Sequence, residues 1–340
     1  MEIQQQKPTA KQLVVGVLLA LPAGLLAPSF FPFALVGPVA LSFLFTYGGA
    51  IPFAVCAILQ LVTANLLGGM TLTLITLLSS LLPAAFAARG ARWRRPFFDQ
   101  MRFGVAAQVA GVLASVIFIY ARYGSDLIPR MVQGYGAQLE GYSSEAVDMV
   151  LAMRYGSGTA LETTALSAAD RAKYLATFLQ DLTRMLTLRL PGMLLSGAIT
   201  AAVLMVGWPN WILHRRGLAT EESYVPLNQW YLPSGVVFGT LGLFVVSLLM
   251  YAGGMAGGDS VFLTVQSILD ICFLVQAAAA LSRILGRTNA PPVLRFVVIA
   301  LAVTVFQFLF IYVGCVSALF GSHGAISELL RKRRNGNNDQ

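Results

Sequence analysis

QLVVGVLLALPAGLLAPSFFPFALVGPVALSFLFTYGGAIPFAVCAILQLVTANLLGGMTLTLITLLSSLLPAAFAA, residues 12–88, contains no Asp, Glu, Lys, Arg or His. No water-soluble fold calls for such a run, whereas a bilayer does, because each spanning helix takes about 20 apolar residues. The rest of the 340-residue chain agrees. It is 57% hydrophobic and 11% charged, with a mean hydropathy of +0.72, against roughly 25% charged in a soluble domain. A soluble globule, a disordered chain and a disulfide scaffold are all excluded. The chain reads as an all-α, polytopic transmembrane helical bundle of the inner (cytoplasmic) membrane.

Working outward from that stretch, the apolar segments are 12–31, 34–48, 50–67 and 69–88, then 103–120, 190–213, 234–252, 261–285 and 293–330. The first could pass for a signal peptide. It lacks a small-residue cleavage site and leads straight into further spans, so it is read as retained. The second is short and holds Gly37 and Pro38, which predicts a kinked or interfacial helix. The last is too long for one straight crossing at about 1.5 Å per residue. Two tight spans with a turn near Gln307 or Gly314 are favoured over one long tilted helix, giving about nine to ten crossings.

Basic residues set the sidedness. Lys7 and Lys11 precede the first span, and Arg89, Arg92, Arg94, Arg95 and Arg102 follow the fourth. Arg215 and Arg216 follow the sixth, Arg283, Arg287 and Arg295 surround the end of the eighth, and Arg331, Lys332, Arg333 and Arg334 form the tail. These segments hold 16 of the 23 basic residues and 6 of the 15 acidic ones, whereas 120–190 holds seven of each. Both termini are therefore expected in the cytoplasm and 123–186 outside it. The domains expected are a first membrane bundle, 1–122, an extracytoplasmic helical insert, 123–189, a second bundle, 190–330, and a basic cytoplasmic tail, 331–340.

Within the insert, Ser167 followed by Asp170 has the spacing of a capping box, with Asp replacing the usual Glu or Gln. Beyond it Tyr174, Leu175, Phe178, Leu179, Leu182, Met185 and Leu186 recur at helical spacing, opposite Arg171, Lys173, Gln180, Asp181 and Arg184. An amphipathic helix is expected, running up to a bend at Pro191. Packing on neighbouring helices is favoured over a binding lid.

Ionisable groups at bilayer depth mark functional sites by default, and here the one deep in a span is Asp270. Gln266 shares its helix face, and Gln60 and Asn65 add polarity in the third span, with Gln108 and Gln276 elsewhere. Asp270, Gln266, Gln60 and Asn65 make a candidate intramembrane polar site. The competing reading is an Asp that hydrogen-bonds two helices together. Gly16, Ala20 and Gly24 form a small-residue stripe that lets another helix approach closely, within the chain or on a partner subunit.

Other chemistry is poorly supplied. Cys56, Cys272 and Cys315 lie singly in apolar stretches, and His214 and His323 near span ends, so neither a metal site nor a disulfide framework is expected. There is no Gly-rich phosphate loop, G-x-S-x-G elbow or H-E-x-x-H pair. No cofactor, no metal and no enzymatic activity are expected. The pI of 9.6 arises from positive-inside loops, which argues for anionic lipid and against nucleic acid.

The stretch WPNWILHRRGLATEESYVPLNQWYLP, 208–233, carries Asn210, the pair Arg215 and Arg216, Pro226, and Trp230, Leu232 and Pro233 opening the next span. In this it resembles the YybS-like bacterial membrane proteins. Gly321 and the tail Arg331, Lys332, Arg333 and Arg334 match that family's C-terminal pattern loosely, without the acidic residue that often follows the Gly. The resemblance implies an N-terminal half similar to the substrate-binding subunits of energy-coupling-factor vitamin transporters. There a small-residue stripe on the first helix docks a coupling subunit, and Gly16, Ala20 and Gly24 would be its counterpart. The function expected is transport-related binding of a small molecule. The alternative is a non-catalytic scaffold or assembly factor of the cell envelope.

Overall fold

In hydrocarbon every backbone polar group must be satisfied from within the protein, and a helix does this inside one segment. The computed structural model describes residues 9–26, 31–92, 95–155, 167–217, 223–288 and 291–321, together with 324, 326 and 327. Among these the long elements are all helices: α1 (Ala10–Leu26), α2 (Phe31–Gly48), α3 (Ala50–Thr76), α4 (Leu82–Arg92), α5 (Phe97–Tyr123), α6 (Leu127–Glu140), α7 (Ser144–Tyr155), α8 (Ala168–Arg215), α9 (Ser234–Ala252), α10 (Gly258–Gly286), α11 (Pro292–Val305) and α12 (Gln307–Phe320). With α3 and α4 taken as one run, Ala50–Ala91, five helices are long and apolar enough to cross a membrane, and a sixth is added if α11 and α12 form one broken span. The protein is a polytopic helical membrane bundle.

The run Ala50–Ala91 contains the reversal expected between the third and fourth apolar segments. Gly68 (φ −144, ψ 17) and Gly69 (φ 60, ψ −157) leave the helical region, and glycine takes the positive φ without a Cβ clash. Beyond them the chain doubles back. Ser80 Oγ donates to Gln60 Oε1 at 3.2 Å across 20 residues, a separation of about 30 Å in a straight helix.

Two expectations are corrected. The final apolar region forms neither two full crossings nor one tilted helix. Helices α11 and α12 have 14 residues each and meet at 107°. Fourteen residues rise about 21 Å, short of the ~30 Å hydrocarbon core. The break falls at Phe306 (φ −109, ψ 32), next to Gln307. Nor does the helix stop at Pro191: α8 continues through Pro191 and Pro209 for 48 residues. A proline removes one ladder bond, and a helix tolerates that loss where its neighbouring turns stay bonded.

By its contacts the chain divides into two units, Met1–Val116 with Gly192–Gln340, and Ile117–Pro191. In the first, α1 packs on α3 and α2, α2 on α4, and α10 on α12 and α9. One apolar core gathers Leu41, Leu44, Phe97, Met205 and Val206, and a second gathers Val237, Leu269, Phe273 and Ala318. Glycine permits close approach: a Cβ on Gly111 of α5 would overlap the Leu78 carbonyl and touch the Pro83 ring.

In the second unit Ser167 Oγ accepts from the Asp170 N–H (3.1 Å) and donates to its carboxylate (2.6 Å), the capping the spacing predicts. Leu175 is buried on the apolar face of α8, while Lys173, Gln180, Asp181 and Arg184 face outward. Arg171 clasps Asp148 of α7 through two bonds of 2.7 Å. The second unit's buried residues include Ile128, Val132, Leu139, Val147 and Leu151. Lys7, Arg94, Gly158, His323 and the tail 331–340 lie outside the described residues.

Candidate functional site

Two prolines decide where polarity enters the membrane bundle. Pro209 has no N–H for the carbonyl of Met205, four residues earlier on α8. Ser42 of α2 supplies the missing donor, its hydroxyl lying 3.0 Å from the Met205 oxygen in a buried contact. Pro83 does the same to the carbonyl of Ser79, within a π-helical turn at Leu77–Leu81. There Gln108 of α5 donates its Nε2 at 2.8 Å. An unpaired carbonyl in hydrocarbon costs several kcal/mol, so each proline fixes a partner helix beside the gap it opens. Asn210 follows Pro209 directly and donates to Gln100 Oε1 (2.8 Å), while Gln100 Nε2 donates to the Arg95 carbonyl (2.6 Å). Together Ser42, Gln100 and Asn210 join α2, α5 and α8. Gln108 Oε1 and Asn210 Oδ1 remain buried acceptors without a partner among the described residues.

The polar linker before α9 is held almost entirely through its backbone. Trp230 Nε1 donates to the Val225 carbonyl (2.7 Å), and the Trp230 carbonyl accepts from Arg283 of α10 (3.0 Å). The Leu232 N–H donates to Gln276 Oε1 (3.1 Å), and Ser317 Oγ of α12 accepts from both Gln276 and Arg283 at 3.2 Å. Aromatic rings close the other side: Phe97 lies 5.1 Å from Trp230 and Phe98 lies 5.4 Å from Tyr231, centroid to centroid. At the start of the linker Tyr224 stacks on His214 at 4.2 Å, and burial pushes its phenol above the ordinary value. The residues Trp230, Leu232 and Pro233 thus form a strap tied to α5 and α10, and through Gln276 and Arg283 to α12.

Above this strap the first unit holds a cavity of about 770 Å³, within the range of small-molecule sites. Its walls are α5 from Phe97 to Val109, α8 at Ile199 and Val203, α9 at Val236 and Thr240, and α10 from Ile268 to Gln276. The floor is Trp230, Tyr231, Leu232, Pro233 and Ser234. Most of the lining is apolar, with Arg102, Tyr231, Ser234, Thr240 and Gln276 as polar exceptions. Arg102 is largely exposed and sits 3.6 Å from Asp99 one turn earlier.

Asp270, Gln266, Gln60 and Asn65 are not gathered around this cavity. Gln60 is fully buried in the α3 reversal, bonded to Ser80 and donating to Cys56 Sγ at 3.7 Å. Asn65 is exposed near the Gly68 turn, and Gln266 is exposed on α10. Asp270 is partly buried on α10, with no hydrogen-bond partner among the described residues, and is not part of the lining. Gly16, Ala20 and Gly24 are buried: Gly16 lies against Pro52 and Gly48, and Gly24 against Leu59 and the Cys56 carbonyl. That face of α1 is occupied by α2 and α3. Sequence reasoning missed Arg102, read as a sidedness charge, and Ser42 and Gln100, which carry no charge to draw notice. Pro209 and Pro83 were the available signal, since each proline within a helix names an open carbonyl four residues before it.

A family model described as "Predicted membrane protein (DUF2232)" matches residues 14–318. The chain belongs to that family. The match runs from α1 into α12, so both walls and floor of the cavity lie inside it. No curated protein and no solved structure matches the chain.

Proposed function

We propose that the protein binds a small, largely apolar molecule inside the bilayer, in a transport-related role, at the cavity between α5, α8, α9 and α10. The observation that carries this reading is the cavity itself: about 770 Å³, apolar over most of its wall, with convergent polar groups at the strap end. Gln276 and Arg283 of α10, which hold the strap, are spent on its backbone groups and on Ser317, which favours binding over catalysis. The reading places the protein in the inner membrane with both termini cytoplasmic, on the argument of the basic residues. The likeness to YybS-like proteins and to energy-coupling-factor binding subunits agrees with a ligand-binding role. It lends less to a docked coupling subunit, because α2 and α3 cover the Gly16, Ala20 and Gly24 face.

The test fills the cavity. Protein purified in a mild detergent is examined by native mass spectrometry for retained small molecules, beside a Val105→Trp variant of matching thermal stability. The wild type is expected to carry a molecule that the variant loses. If both are bare, or both carry the same load, the reading falls and the envelope-scaffold role replaces it. Reporter fusions at Gln340 and Gly158 check sidedness, with cytoplasmic activity expected only for the first.

A further inference from the structure

The cavity is polar at one end only. The aromatic pairs of Phe97 and Phe98 with Trp230 and Tyr231 put the start of α5 level with the strap, and the Leu232 bond puts Gln276 there too. Moving away from the strap, α5 contributes Val105 and Val109, and α10 contributes Cys272 and Ile268. Thr240, the hydroxyl among the deeper residues, already donates to the Val236 carbonyl within its own helix (2.8 Å).

Length points the same way. From Phe97 to Val109 the wall climbs about 18 Å at 1.5 Å per residue, close to the ~15 Å of hydrocarbon in one leaflet. A site built for a compact polar solute would be neither that tall nor that dry. The charged group on the lining is Arg102. Its described partner is Asp99 at 3.6 Å, with both side chains well exposed. An exposed guanidinium with donors to spare, at the polar end of an apolar slot, complements an anionic head on a hydrocarbon tail.

We propose that the cavity takes an anionic amphiphile from the adjoining leaflet, with its acyl chain between α5 and α10 and its head on Arg102. This rests on the small-molecule reading above and names the ligand class for the same site. Asp99 competes with the head for Arg102 and so weakens the site it borders.

The experiment uses one tail, a stearoyl chain with a photoreactive diazirine near its methyl end, on three heads: carboxylate, phosphate monoester and alcohol. Each is added to the full chain in detergent, irradiated, and mapped by peptide mass spectrometry. Attachment is expected on Val109, Ile199 or Ile268, at the end away from the strap. The anionic probes are expected to label roughly tenfold more than the alcohol, the value of one charge-assisted contact. Arg102→Gln should bring the three heads level, and Asp99→Asn should raise anionic labelling. The stronger of carboxylate and phosphate distinguishes a fatty acid from a phospholipid source. Equal labelling by all three heads that ignores Arg102→Gln overturns the anionic head and leaves the cavity reading standing. Attachment at the strap end overturns the orientation, and with it the proposal. If no probe labels the cavity, or Val109→Trp of unchanged stability labels as strongly as wild type, the cavity reading falls as well.

Discussion

The membrane unit and the unit Ile117–Pro191 solve the same problem, polar groups away from bulk water, with different chemistry. In the membrane unit the buried polar side chains are neutral: Ser42, Gln60, Gln100, Gln108 and Asn210. They spend themselves on one another and on carbonyls that prolines have opened. In the smaller unit a tertiary polar contact is ionic, the Arg171–Asp148 fork, with both side chains about a fifth exposed (23% and 21%). A neutral amide loses far less on entering a low-dielectric medium than a charge does. Charge pairing is used where water still reaches, and amide or hydroxyl pairing where it does not.

The comparison breaks first at a tight backbone contact. Gly111→Ala puts a methyl group into the Leu78 carbonyl, so α5 must retreat from the π-helical turn. A loss of roughly 1–3 kcal/mol is expected, read as a lower thermal midpoint in detergent. Next comes the proline rule. Ser42→Ala should cost about 1 kcal/mol in the wild type. In a Pro209→Ala background residue 209 regains its N–H, the Met205 carbonyl recovers its helical partner, and the same substitution should cost nothing measurable. A thermal double-mutant cycle checks this, and equal costs in both backgrounds would sink the idea that Ser42 repairs the proline gap.

The ionic side is sharpened by Asp148→Asn, which should speed limited proteolysis within Ile117–Pro191. That difference should shrink in high salt, while the Ser42 effect should not. Asp270→Asn is expected to shift stability by less than about 0.5 kcal/mol, because no described group depends on the carboxylate. A loss of growth or uptake with the fold intact would restore Asp270 to the functional site. The smallest effect belongs to Tyr224. Burial favours its neutral phenol, so the folded value lies above the unfolded one near 10.0. Its contribution is full below that pH and drains away as pH rises through the folded value. Comparing the wild type with Tyr224→Phe across that alkaline range should show a steeper loss of stability in the wild type.

Much of the fold was legible because the bilayer leaves few options. The separate apolar segments 50–67 and 69–88 implied the reversal between them, Ser167 and Asp170 the start of α8, and the spacing of Gly16, Ala20 and Gly24 a close helix contact. The ends of elements were harder. Pro191 suggests a helix end to anyone who cannot see that the turns on either side stay helical, and the apolar run after Val293 gives no sign that it breaks at Phe306. The cavity was illegible for a different reason. Its walls are ordinary Val, Ile and Phe positions from four helices, and only packing shows which of them fail to meet. Asp270 drew attention by its charge, whereas Arg102 was hidden among residues whose charge already had a topological use.

The two repaired carbonyls also set a timetable for biosynthesis. Ser42 is made 163 residues before Met205, so when α8 enters the membrane its defect meets a donor already in place. The Ser79 carbonyl comes first and must wait 29 residues for Gln108, roughly 1–6 s at cellular elongation rates. The bond that closes the Pro83 gap therefore forms only once α5 has been delivered.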